Sequence, residues 1–131
     1  MQQHLRDERG ASAVEFAFIV PLLLLLVLGI AEFGRAFQVQ GTLSAAAREG
    51  VRTMALQNNQ TSARAMVRSV AASLHPGVTD AQIAISPSAC PATYTSGASV
   101  TLTITYRLPL LSDFFGAALN LHATGVMRCN G

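Results

Sequence analysis

Sixteen consecutive residues, Phe16 to Ala31, carry no charge, and no other feature limits what this chain can become so strongly. At 1.5 Å per helical residue the run covers about 24 Å, short of a hydrocarbon core of about 30 Å. A complete span must therefore reach back to Ala11 or forward past Glu32 to Phe33. Both Glu15 and Glu32 then become boundary residues. That placement matters, because a carboxylate at mid-membrane costs about 2.5–3.5 kcal/mol on insertion scales. Glu32 and Arg35 are three apart and can pair on a helix. Pro21 is compatible with a span, where neighbouring groups resatisfy the backbone.

Three readings fit this segment: a signal-anchor helix, a cleaved secretory signal and a prepilin-like segment. "GIA" (Gly29, Ile30, Ala31) offers the small residues of a secretory cut site. Helical periodicity, however, runs straight through it into "EFGRAFQVQGTLSAAAREGVRTMAL". In the prepilin-like reading a short charged leader ends at Gly10 and is removed on the cytoplasmic side. Only this reading accounts for a glycine five residues before Glu15.

The wider composition agrees with an anchored protein. Half the residues are hydrophobic and 12% are charged, a balance shifted toward membrane proteins. The net charge of +2 is too small to indicate nucleic acid. Arg6 and Arg9 precede the span and place the leader in the cytoplasm, although Arg35, Arg48 and Arg52 lie beyond it. The far side is then outside the cell, an oxidising compartment for Cys90 and Cys129.

Beyond the membrane the helix is predicted to continue to about Gln57, with Ala36, Leu43, Ala47, Val51 and Met54 on one face. From Ala11 to Gln57 it would measure about 70 Å. Gly41 to Ala45 and Ala46 to Gly50 are small-xxx-small steps that let a second helix approach closely. The same residues equally suit a helix covered by its own domain. "QNNQTS" (57–62) is a polar break, followed by a second helix over Thr61 to Leu74 and a stop at "HPG" (75–77).

The period then changes to two. "QIAIS" (82–86), "SVTLTITYR" (99–107) and "LNLHATGVMRC" (119–129) read as three strands, with Gly125 a bulge candidate. In an antiparallel meander the first and third strands run the same way. Cys90 and Cys129 then meet at one end of the sheet, where a disulfide could add at most about 4 kcal/mol. The expected fold is therefore α+β and membrane-anchored: a long N-terminal helix, a second helix and a small three-stranded antiparallel sheet.

Catalytic and metal chemistry find little support. His4, His75 and His122 have no serine, cysteine or carboxylate partner at a motif spacing, and Asp80 and Asp113 read as turn residues. The cysteines lack any zinc-type spacing. No enzyme activity, cofactor or small-molecule substrate is expected.

With "RGASAVEF", "PLLLLLVLGIAEFGRAF" and "LSAAAREGVR" in order over residues 9 to 52, the chain resembles the TadE-like family of tight-adherence (Tad, or Flp) pilus proteins. The resemblance implies a pseudopilin, or minor pilin-like subunit, of a pilus assembly and secretion machine. It implies residues 1–10 as leader, 11–35 as transmembrane helix and 36–131 as an extracytoplasmic domain. Prepilin peptidase would cut after Gly10 and make Ala11 the mature N-terminus, with Glu15 as the motif glutamate. Phe16 stands where the usual motif has tyrosine. Implied partners are that peptidase, other pilin-like subunits and the inner-membrane assembly proteins; the implied location is a single pass in the bacterial inner membrane. The alternative is an unprocessed, membrane-anchored binding module.

Overall fold

A computed structural model describes residues 4–93, 96–111 and 116–129. Helix α1 runs from His4 to Gln57 and α2 from Gln60 to Val70. A short 3-10 turn, Asp80–Gln82, leads into β1 (Ile83–Ser86), β2 (Ser99–Pro109) and β3 (Ala118–Arg128). The chain divides into two compact units, the first ending at Arg35 and the second beginning at Ala36.

The first unit is helix alone. Its large apolar side chains lie exposed: Phe16 is 69% exposed, Phe18 77% and Leu25 67%. A helix apolar on every side is stable only in an apolar surrounding. It is the one helix among the described residues long and apolar enough to cross a membrane. Pro21 lies inside it, and the helix continues on both sides of the proline. It also begins earlier than the expected Ala11, because "HLRDERG" is helical from His4. Leucine, arginine and glutamate are good helix formers, so local propensity extends the helix where apolar periodicity gives no signal.

The second unit is a meander with sheet order β1-β2-β3, both pairings antiparallel. On β2 the alternation sends Val100, Leu102, Ile104, Tyr106 and Leu108 inward, each buried. Register places Ile83 opposite Ile104 and Ala123 opposite the same residue on the other side. Val39, Leu43, Ala46, Ala47, Val51 and Met54 of α1 recur every three or four residues and bury one stripe against that face. Ala63 and Val67 of α2 complete the core. The buried Tyr106 keeps its hydroxyl satisfied by donating to the Pro76 carbonyl at 2.6 Å.

Strand and helix ends differ from expectation for local reasons. β1 starts at Ile83 because Gln82 turns back, its side-chain oxygen accepting from Thr79 N–H at 2.8 Å. β2 extends to Pro109, well past Ile104 where the pairing with four-residue β1 stops, and a proline without an N–H is tolerated at such an edge. α2 ends at Val70 rather than Leu74. The chain tightens there, with Leu74 N–H bonding to Ala71 O at 3.0 Å, yet Leu74 stays buried.

Gly125 is not a bulge: the ladder continues unbroken through Leu102↔Gly125. Its role is close approach. A Cβ there would lie 2.6 Å from the Ala47 carbonyl oxygen and 2.9 Å from Val51 Cγ1. The nearest obstacle is helix backbone, which cannot swing aside. Gly125→Ala is therefore expected to lower stability by about 1–3 kcal/mol, despite alanine's smaller entropy cost. Denaturant titration in detergent checks this; an unchanged midpoint would contradict the contact.

Three ties fix how β3 lies along α1 inside this unit. Gln40 Nε2 donates to His122 O at 2.8 Å, and Gly125 meets Ala47 and Val51. Further on, Cys129 is bonded to Cys90, whose backbone pairs with the Asn58 side chain. From His122 to Cys129 a strand advances about 23 Å, and from Gln40 to Asn58 a helix advances about 27 Å. β3 and α1 thus run side by side in the same direction.

Candidate functional site

The residues singled out near the N-terminus all sit on continuous helix. Gly10 is helical, and a Cβ built there would meet nothing within 4 Å. Ala11, Glu15 and Phe16 are exposed, and Ala11 lies about 6 Å below Glu15, one turn away. Ser12 Oγ donates to Glu8 O at 3.0 Å, a bond within the helix. Any ligand or enzyme reaching Gly10 therefore finds an open approach but a closed helical backbone.

The small residues separate into two environments. Ala46 and Gly50 are buried in the domain, and a Cβ on Gly50 would come 2.4 Å from Val67 Cγ2 and 2.9 Å from Leu102 Cδ1. Gly50 thus brings α1 close to α2 and the sheet. Gly41 and Ala45 lie exposed, and a Cβ on Gly41 would meet nothing within 4 Å. Identical spacing yields one internal contact face and one outward face.

Cys90 and Cys129 form the disulfide, with Cα atoms 5.6 Å apart and both residues buried. Sequence reasoning missed the residue that holds it to the helix. Asn58 adopts φ +47°, a left-handed conformation that asparagine tolerates better than most residues and that commonly ends helices. Its side chain then pairs with Cys90 like a strand: Cys90 N–H donates to Oδ1 at 2.7 Å, and Nδ2 donates to Cys90 O at 3.2 Å. Gln60 adds a bond to Ser88 O at 2.7 Å. Asn59, by contrast, caps α2 by accepting from Ser62 N–H at 3.1 Å. The adjacent asparagines in "QNNQ" are the only sequence signal for this arrangement.

Arg64 performs a similar service at the other side of the core, donating to the carbonyls of Asp80 and Ile83 at 2.6 and 2.7 Å. Arg68 pairs with the Asp80 carboxylate. Asp80 thus opens the 3-10 turn and anchors it to α2. Asp113 and the His4 side chain lie outside the described residues. His75 Nδ1 lies 3.1 Å from Ser73 O, and His122 Nδ1 lies 3.4 Å from Thr105 Oγ1, both ordinary surface contacts. Among the described residues no three metal-ligating side chains converge.

A family model described as "TadE-like protein" matches residues 10–52, which is α1 from Gly10 to Arg52. The matched stretch opens on Gly10 and contains Glu15, Phe16 and all four small residues discussed above. No curated protein and no solved structure matches the chain.

Proposed function

We propose that this chain, TadE-like over residues 10–52, is a pseudopilin or minor pilin-like component of a Tad pilus assembly and secretion machine. Residues 1–10 are the leader, 11–35 the transmembrane helix and 36–131 the extracytoplasmic domain. Prepilin peptidase in the bacterial inner membrane removes the leader, leaving Ala11 as the N-terminus. The N-terminus of the precursor faces the cytoplasm, and the disulfide-bonded domain faces outward. Other pilin-like subunits and the inner-membrane assembly proteins are its partners.

The observation that carries this reading is the family match beginning on Gly10, five residues before Glu15. Physical chemistry gives the motif a rationale. A protease needs an extended backbone, so the helix must open locally at the cut. Glycine costs a helix about 1 kcal/mol relative to alanine, which makes Gly10 the easiest place to open. Lacking a side chain, it also lies flat in a cleft. Once cut, Ala11 presents a cationic amine one turn from Glu15, and a carboxylate near a helix N-terminus is favoured by the backbone dipole.

Intact mass of protein purified from native membranes tests the reading: loss of residues 1–10 is expected. Gly10→Leu should retain the leader, because a bulky side chain meets the cleft. Mature protein starting at Ala11 in that variant would contradict Gly10 as the determinant. A wild-type mass retaining residues 1–10 would favour an unprocessed tethered module, and a start at Glu32 would favour a secretory signal.

A further inference from the structure

The sheet has two edges, and they are protected unequally. β1 is four residues long, and Arg64 donates to its Ile83 carbonyl at 2.7 Å. Short length and a charged cover are common ways to keep an edge from pairing. β3 runs eleven residues without a proline, lysine or carboxylate, and its ladder to β2 contains no bulge. Leu110 N–H donates to Ala117 O at 3.4 Å and Cys129 N–H to Ala98 O at 2.9 Å, continuing the β2–β3 register at its two ends. Directly bonded pairs alternate along an antiparallel ladder, so the odd-numbered residues of β3 bond to β2. The even-numbered ones, from Asn120 to Arg128, turn their N–H and C=O groups to the open side. Gln40 agrees with this phase, since its amide reaches the outward His122 carbonyl. Past that bond, the outward backbone groups of Thr124, Val126 and Arg128 have no partner among the described residues.

We propose that the edge of β3 from Thr124 to Arg128 takes an extended, acidic segment of another polypeptide as a fourth strand. Three outward residues at intervals of about 6.8 Å each present a donor and an acceptor, a spacing that an extended chain matches. Charge says which kind of chain. Ser44 and Arg48, four and eight positions on from Gln40, continue the flank of α1 beside this edge. Arg48 is about 12 Å beyond Gln40 along the helix, and Val126 about 13 Å beyond His122 along the strand. Arg48 therefore stands level with Val126 on the helix side of the sheet, while Arg128 is exposed on the outer face. Neither guanidinium has a hydrogen-bond or ion-pair partner among the described residues. Two such cations beside a free edge suit a strand that carries carboxylates, and they select the partner more than they add affinity. A second copy of this chain fits less well, because β3 brings Arg128 and no carboxylate to the pairing. The proposal draws on the second unit alone and does not depend on leader removal.

The probe is a short fluorescein-labelled peptide of alternating valine and glutamate, titrated with full-length protein in nonionic detergent and followed by anisotropy. Saturable binding is expected, weaker by about tenfold or more when lysine replaces glutamate in the peptide. Thr124→Pro removes one outward N–H and no bond to β2, and should weaken binding by about tenfold or more. Arg48→Glu combined with Arg128→Glu should do the same without touching the backbone, so it decides the matter if the proline variant misfolds. Arg107→Glu reverses a charge on the same sheet, opposite Asn120 and about 27 Å along the strand from Arg128. It should change affinity by less than about twofold. Absence of saturable binding up to about 1 mM, or equal binding of the lysine peptide, would overturn the proposal. So would unchanged affinity in a folded Thr124→Pro variant or in the double arginine variant. Sedimentation of the wild type alone should show a monomer; a dimer dispersed by Thr124→Pro would give the edge to a second copy and overturn the proposal as well.

Discussion

Glu15→Leu is expected to insert into the membrane at least as well as the wild type and to fail completely in pilus assembly. The carboxylate is exposed on an otherwise apolar helix, near the end of the segment. There it costs less than the about 2.5–3.5 kcal/mol of mid-membrane, but it still opposes insertion. Leucine removes that cost, so membrane level should hold or rise. Under the proposed leader removal, what is lost is the partner for the Ala11 amine, on the same chain or on the next subunit. In partly desolvated surroundings such a pair fixes the axial register of neighbouring helices, and removing one partner leaves the other charge uncompensated. The measurement is pilus assembly in a deletion strain complemented with the variant, with membrane level and leader removal followed in parallel. Full assembly at normal expression would make Glu15 a tolerated boundary residue.

Replacing both cysteines, Cys90→Ser with Cys129→Ser, is expected to cost the domain about 2–4 kcal/mol. The bridge spans 39 residues, and the larger figure is the entropy that closing a loop of that size removes from the unfolded chain in the simple model. For a domain whose whole stability is about 5–15 kcal/mol, that is a large fraction. Asn58 should keep its hold on the Cys90 backbone in the variant, since neither of its bonds involves sulfur. The folded domain would look unchanged while its denaturation midpoint falls. Comparing wild type and double variant in denaturant, each with and without reductant, checks this. A loss below about 1 kcal/mol would mean that the unfolded state is already constrained, as the model's exceptions allow.

Much of this architecture is legible from local pattern. An uncharged run fixes the membrane-type helix, and strict alternation from Val100 to Arg107 fixes both the strand and its buried face. The disulfide follows once the strands are ordered as a meander. Features that depend on what lies across space are not legible. Gly125 reads locally as a bulge because nothing nearby in sequence reveals the Ala47 carbonyl against it. Asn58 and Asn59 look alike, and only the left-handed turn separates the disulfide clamp from the helix cap. Gly41–Ala45 and Ala46–Gly50 share a spacing, but the second pair lies under the sheet and α2 while the first faces out. At the proposed processing site the opposite holds. Gly10, Ala11 and Glu15 are recognised by spacing alone, and the fold adds only that they are exposed and helical.

The position of the disulfide also decides how the domain would carry tension. Cys129 directly follows β3, and Cys90 precedes both long strands. A pull between α1 and any point beyond Cys129 would therefore pass from Cys90 directly across the sulfur bridge to Cys129. β2, the hairpin and β3 lie in a closed side loop off that force path. Up to about 130 Å of chain, 39 residues at about 3.4 Å each, can never be drawn out while the bridge is intact. The strand pairing of β2 with β3 is thereby relieved of mechanical load, and the helices and β1 bear it alone.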